Sequence, residues 1–301
     1  MRERDLFTGL VLPLTLAGVL AGCGGADDDA GGPAEDTAAE MPFDVATAGH
    51  VQGMVMFEGA PPAPVTLDMA SEPECDAHWN GETEVEEVRV RDGHLAQVFV
   101  YVKEGLEGME FPIPGEAVLI DQEGCTYEPH VSGVMTGQTL TFRNSDPLMH
   151  NINGSPQVNR PFNFSQPAQG MESNRTLAQQ EVMVPVQCDV HGWMHAYIGV
   201  VSHPYYAATG DPGTFDLRDL PPGDYVIEAW HPRLGTQEQQ VTVETGQTAE
   251  VAFTFTEAML ETAVVPLGEP IDPHSHHTHV QFVGSDPAPH GPDQGHASGT
   301  R

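Results

Sequence analysis

Nothing limits the architecture of this chain more than the stretch Val186-Gln-Cys188-Asp-Val-His191-Gly-Trp-Met194, set between two apolar runs of β character. It offers a thiolate, an imidazole and a thioether at Cys-x2-His-x2-Met spacing. Soft sulfur ligands with imidazole suit copper, and two histidines, a cysteine and a weakly bound methionine form an electron-transfer set. The second histidine has to come from elsewhere. His150 supplies it, at the end of the strand-and-turn segment Leu140-Thr-Phe-Arg-Asn-Ser-Asp-Pro-Leu-Met-His150-Asn151. His195 directly follows Met194 and is a rival ligand. Neighbouring side chains of an extended chain point to opposite faces, so one of the two faces the metal.

From His50 onward the pattern is all-β. Val51–Glu58, Leu95–Lys103, Val118–Ile120, Leu140–Asn144, Glu181–Gln187 and Tyr197–Ser202 are rich in β-branched and aromatic residues, with Gly or Pro near their ends. No long helical period interrupts them, and short strands with frequent turns suggest sandwiches. Beyond His203-Pro204, Gly213 to Trp230 reads as strand, Pro-Gly turn, strand, and Gln237–Val243 and Thr248–Phe255 add two more.

These residues carry two resemblances. From about Ala117 to His203 the chain resembles the cupredoxins, through the strand entry Gly137–Asn144, the His150-Asn151 pair and the Cys-His-Met loop, whose spacing is similar to that of amicyanin. The resemblance implies a Greek-key sandwich binding one copper through His150, Cys188, His191 and Met194, with Asn151 tying the two ligand loops together. The long segment Asn153–Gln180 departs from that pattern. Residues 205–256 resemble the carboxypeptidase regulatory-like, transthyretin-like sandwich, and Gly53–Pro62 looks like the opening strand and turn of the same fold. Residues 49–110 are therefore expected to pack with residues 204–257, with the copper domain, residues 111–203, inserted between them. The resemblance implies a structural or binding module without catalytic residues. His231, just after Trp230, reads as a loop residue.

The ends differ in texture. An apolar run from Leu6 to Ala21 is shorter than the ~18 residues of a spanning helix and reads as a signal peptide, residues 1–22. Leu20-Ala-Gly-Cys23 resembles a bacterial lipobox, which implies lipidation of Cys23; Gly24 after it favours the periplasmic side of the outer membrane. Residues 23–48 are small, acidic and aperiodic, and are expected to form a disordered tether. Residues 258–301 are expected to be a disordered tail carrying His274, His276, His277 and His279, a composition able to bind metal. Of the remaining cysteines, Cys75 and Cys125 suit a disulfide in an exported protein, or a second metal site in which Cys75-Asp-Ala-His78 repeats the spacing of the main loop.

With 44 acidic against 11 basic residues and a net charge of −33, the chain is unsuited to nucleic acid or anionic lipid. A basic redox partner such as a cytochrome suits it. Three functions remain open on sequence: an envelope-anchored one-electron copper carrier, a copper sensor or donor, and a non-redox surface module. In the carrier reading the exposed imidazole of His191 is the electron exit, while Met149, Phe142 and Trp193 limit water. An enzyme is not expected, since no nucleophile signature or phosphate-cradling loop is present.

Overall fold

The computed structural model describes residues 41–69, 72–79 and 84–261. The expected signal peptide, Cys23 and the histidines from His274 onward lie outside the described residues. Strands dominate what is described; the one α-helix among these residues is Pro73–His78.

The strand Phe99–Glu104 shows how alternation builds this molecule. Val98, Val100 and Val102 belong to a core with Val51, Val55, Leu217, Ile227, Phe253 and Phe255. Phe99 and Tyr101, at the intervening positions, belong to a different cluster with Val131, Tyr197 and Val201. Successive side chains of a strand point to opposite faces, so Phe99–Val102 is covered on both sides and runs apolar without a break, before the exposed Lys103 and Glu104. Burying a side chain such as Phe99 contributes about 1.5–3 kcal/mol. Close approach also requires glycine opposite it: a Cβ on Gly199 would stand 2.3 Å from the Phe99 ring, and one on Gly133 2.7 Å.

Two sandwiches meet at that strand. In the first, Gly49–Glu58 lies between Thr214–Leu220, antiparallel, and Thr248–Thr256, parallel over its length. The other sheet of this sandwich runs in the order Tyr206–Ala208, Phe99–Glu104, Gly223–His231, Gly235–Val243. The strands come from both sides of the intervening chain. That intervening chain forms the second sandwich. One of its sheets is ordered Glu172–Thr176, Thr139–Asn144, Val118–Glu123, Thr126–Glu128. The other is ordered Phe162–Gln166, His150–Gly154, Glu181–Gln187, His195–Val201, Val131–Met135. Ile120, Leu140, Phe142, Ile152, Val184, Val186 and Ile198 share the core of these two sheets.

Several expectations need correction. Residues 41–48, expected in the tether, are instead part of the fold: Met41 and Phe43 pack against the first core and Asp44 caps a 3-10 turn at Val45–Thr47. Residues 258–261, expected in the tail, are instead part of a second such turn at Glu257–Glu261, with Met259 and Leu260 docked on the same core. The atypical segment Asn153–Gln180 contributes two edge strands, Phe162–Gln166 and Glu172–Thr176. Arg175 holds its guanidinium 3.8 Å from the centre of the Phe164 ring, covering apolar surface that a polar segment would otherwise leave open. His231 is the last residue of a strand rather than a loop residue. It is wholly buried, and its Nδ1 accepts the Arg233 N–H at 3.0 Å.

Candidate metal centre

Two turns at one end of the second sandwich bring the ligand-type residues together. The first runs from Asn144 to His150. Asn144 closes it, donating to the Leu148 carbonyl at 2.8 Å and accepting the Asp146 N–H at 2.9 Å. The second runs from Cys188 to Met194. Here the Cys188 N–H reaches the Met194 carbonyl at 3.1 Å and the Met194 N–H reaches the His191 carbonyl at 2.9 Å. The turns are neighbours because His150–Gly154 pairs antiparallel with Glu181–Gln187, Asn153 opposite Gln187.

His150, Cys188 and His191 are buried, with ligand atoms within 4.8 Å of one another. His150 Nδ1 lies 3.0 Å from His191 Nδ1, which in turn lies 3.7 Å from Cys188 Sγ. The outer nitrogen of His150, Nε2, is 2.8 Å from the Asp146 carboxylate. A carboxylate accepts only, so Nε2 carries the proton and Nδ1 presents its lone pair to the site. A soft or borderline cation among the two Nδ1 atoms and the sulfur would take a lone pair from each of the three. The donor set therefore fits copper.

The electrostatics favour the thiolate. Burial raises the Cys188 pKa, but the His150 and His191 imidazoles beside the sulfur and the backbone N–H groups of Asn151 and His191 outweigh it and bring the thiol down to about 6. Both N–H groups lie 3.4 Å from Sγ. Burial would lower His150, yet its bond to Asp146 and the Cys188 sulfur beside it leave it raised. Asp146 is lowered despite burial, because His150 and the Cys125 and Gly124 N–H groups all donate to it.

Met194 is buried in the same apolar cluster as Cys188, its neighbour across the turn. The rival, His195, is not among the ligand-type atoms gathered at Cys188; its carbonyl receives the His130 ring at 2.9 Å. Asn151 joins the two turns, its Oδ1 accepting the Asp189 N–H at 3.3 Å and its Nδ2 donating to Asn163 at 2.8 Å. Cys75 and Cys125 form a disulfide with Cα atoms 5.6 Å apart.

Sequence reasoning missed the residues behind the ligands. Asp146 holds His150 and the disulfide loop together, accepting the Gly124 and Cys125 N–H groups at 2.8 Å each. Tyr127 donates to the Asn151 carbonyl at 2.5 Å. The one legible signal was an acid four residues before a candidate ligand. Two expectations fail. His191 is not exposed: its relative exposure is 0%, and its Nε2 is a buried nitrogen without a hydrogen bond. Met149 does not exclude water, because its side chain turns outward at 44% exposure, while Phe142 is fully buried.

No curated protein matches the chain. Among solved structures, it is similar to a Cu(I) form of an amicyanin variant, at 20% identity over 28% of this chain and 81% of that one, with a TM-score of 0.25. It is also similar to a second Cu(I) amicyanin variant, at 21% identity over 30% and 85% with a TM-score of 0.26. A purple cupredoxin from Nitrosopumilus maritimus matches at 19% identity over 28% and 98%, with a TM-score of 0.24. Likenesses at these scores carry no argument for function. Residues 195–256 match a family model described as the carboxypeptidase regulatory-like domain. That match opens on His195–Val201, a strand whose ladders are to Glu181–Gln187 and Val131–Met135 of the second sandwich. By its sheets and this match, the chain is an all-β protein of two sandwiches, and its residues 195–256 are similar to the carboxypeptidase regulatory-like domain.

Proposed function

We propose that the protein is a one-electron carrier whose copper is held by His150, Cys188, His191 and Met194. The observation that carries this reading is the convergence of His150 Nδ1, His191 Nδ1 and Cys188 Sγ in a buried pocket. Bound copper would supply a centre that cycles between Cu(I) and Cu(II).

The chain's own part is to keep that pocket from rearranging. His150 is held from behind by Asp146, and Cys188 is held by two N–H groups on its sulfur and by its own N–H on Met194. Groups fixed in this way need little reorganisation when charge changes at the site. N–H donation to Sγ also stabilises negative charge on the sulfur. Burial of Phe142, Ile152 and Val186 excludes water from the apolar side.

Export, lipid attachment at Cys23 and placement in the cell envelope belong to the same proposal and rest on the sequence of residues 1–24. The net charge of −33 supports a basic redox protein as partner. Titrating the purified protein with Cu(II) tests the central claim. An intense visible thiolate-to-copper band, absent in Cys188→Ser, is expected. A colourless protein with a free Cys188 thiol would overturn it.

A further inference from the structure

His191 is buried, but its own turn does not supply all of the cover. The segment Glu72–Trp79 lies against the ligand end. Glu72 Oε2 stands 3.8 Å from His191 Nε2, the ring nitrogen turned away from Cys188. The segment is fastened at several points. Met69 and Cys75 are buried in the cluster that holds Cys188 and Met194, and Trp79 packs on its edge. The indole of Trp79 donates to the Gly124 carbonyl at 2.7 Å, and His78 occupies the space a side chain at Gly124 would need. The disulfide joins Cys75 to Cys125. On the other side of that loop, Trp193 donates to the Cys125 carbonyl at 3.0 Å, and its ring centre lies 5.3 Å from that of His191.

We infer that Glu72–Trp79 is a disulfide-latched cover over the His191 imidazole, and that Glu72 is a positioning residue whose carboxylate faces the Nε2–H of that ring. The inference deepens the copper-carrier reading and, in the role given to Glu72, rests on it. With Nδ1 turned to the metal pocket, the ring proton belongs on Nε2. That nitrogen is buried without a hydrogen bond, and Glu72 is the carboxylate that faces it. A carboxylate behind a ligand histidine fixes its tautomer and ring orientation. Access to the His191 edge then passes over the cover. The segment carries three acids, Glu72, Glu74 and Asp76, and Glu72 is the one that stands at the imidazole.

The cover and the role of Glu72 are tested separately. The cover is tested on the metal-free full chain, by following diethyl pyrocarbonate modification of His191 by peptide mass spectrometry. Native His191 is expected to react at least about tenfold more slowly than in urea-unfolded protein, and Cys75→Ala/Cys125→Ala to recover most of that rate, as local opening requires. Equal protection with and without the latch overturns the cover. This result does not depend on copper, so it stands apart from failure of the visible-band test. The positioning role is read from the ¹⁵N resonance of His191 Nε2 in Zn(II)-loaded protein. A shift in Glu72→Gln, with the His150 resonances in place, is expected; no shift overturns the role. Should the double variant fail to fold, Glu72→Ala in the modification assay decides the cover: unchanged protection of His191 counts against it, and faster modification supports it.

Discussion

In the sandwich built from residues 49–104 and 206–256, the core is almost entirely Val, Leu, Ile and aromatic side chains. In the sandwich between them, one end buries Asn144, Asp146, His150, Asn151 and His191 beside Cys188. Burying polar groups costs stability unless each finds a partner, and there most of them do. Asn144, Asp146 and Asn151 are each bonded to two or more groups. His191 Nε2 is the exception, and it is the atom that faces Glu72. The first sandwich therefore acts as scaffold, held by apolar burial. The second gives up apolar burial at one end to hold a charged, shaped pocket.

The largest expected contrast comes from cutting the scaffold. Phe253→Ala, at a fully buried position, should cost about 3–5 kcal/mol in urea unfolding while leaving the copper spectrum of the folded fraction unchanged. An altered spectrum would break the separation of roles. Asp146→Asn should do the reverse. It puts an amide where three N–H donors converge, costing about 1–3 kcal/mol, and copper affinity by competition titration should fall about 10–100-fold. Unchanged affinity would remove Asp146 from the site.

Acid sharpens the comparison further. Burial holds His203 down at about 4 and His231 at about 3. Both lie outside the pocket and are neutral in the fold, whereas the unfolded chain takes up their protons below about pH 6.5. Their contribution to stability is complete above that pH and is lost as pH falls toward 4 and then 3. Relative to His231→Phe, the protein should therefore lose stability between pH 7 and pH 4 in paired urea melts. A constant difference would show that His231 titrates normally. The smallest effect is expected at the surface. Arg91 and Glu86 pair at 2.5 Å in solvent, and Arg91→Met should leave the unfolding midpoint where it was, as most exposed pairs do.

Much of this was legible along the chain. Richness in β-branched and aromatic residues marked strands such as Val51–Glu58 and Leu95–Lys103, since such side chains suit a pleated, packed surface. Cys188, His191 and Met194 marked a candidate metal loop through local spacing. His150 and Asn151 stood out beside a turn. Other features left no such trace. Glu72 and His191 are more than a hundred residues apart, and nothing periodic links them. Asp146 looked like an ordinary turn acid until the fold placed two N–H groups and a ring nitrogen around it.

Sequence alone determined strand character, turn positions and the identity of the candidate ligand residues, since these depend on side-chain chemistry and on contacts a few residues apart. The tertiary structure alone decided what lies over His191 and what stands behind His150. It also decided that Phe99 and Tyr101 would face a second core, with glycine opposite. Those outcomes depend on which distant surfaces meet, and burial, unlike spacing, is a property of the packed whole.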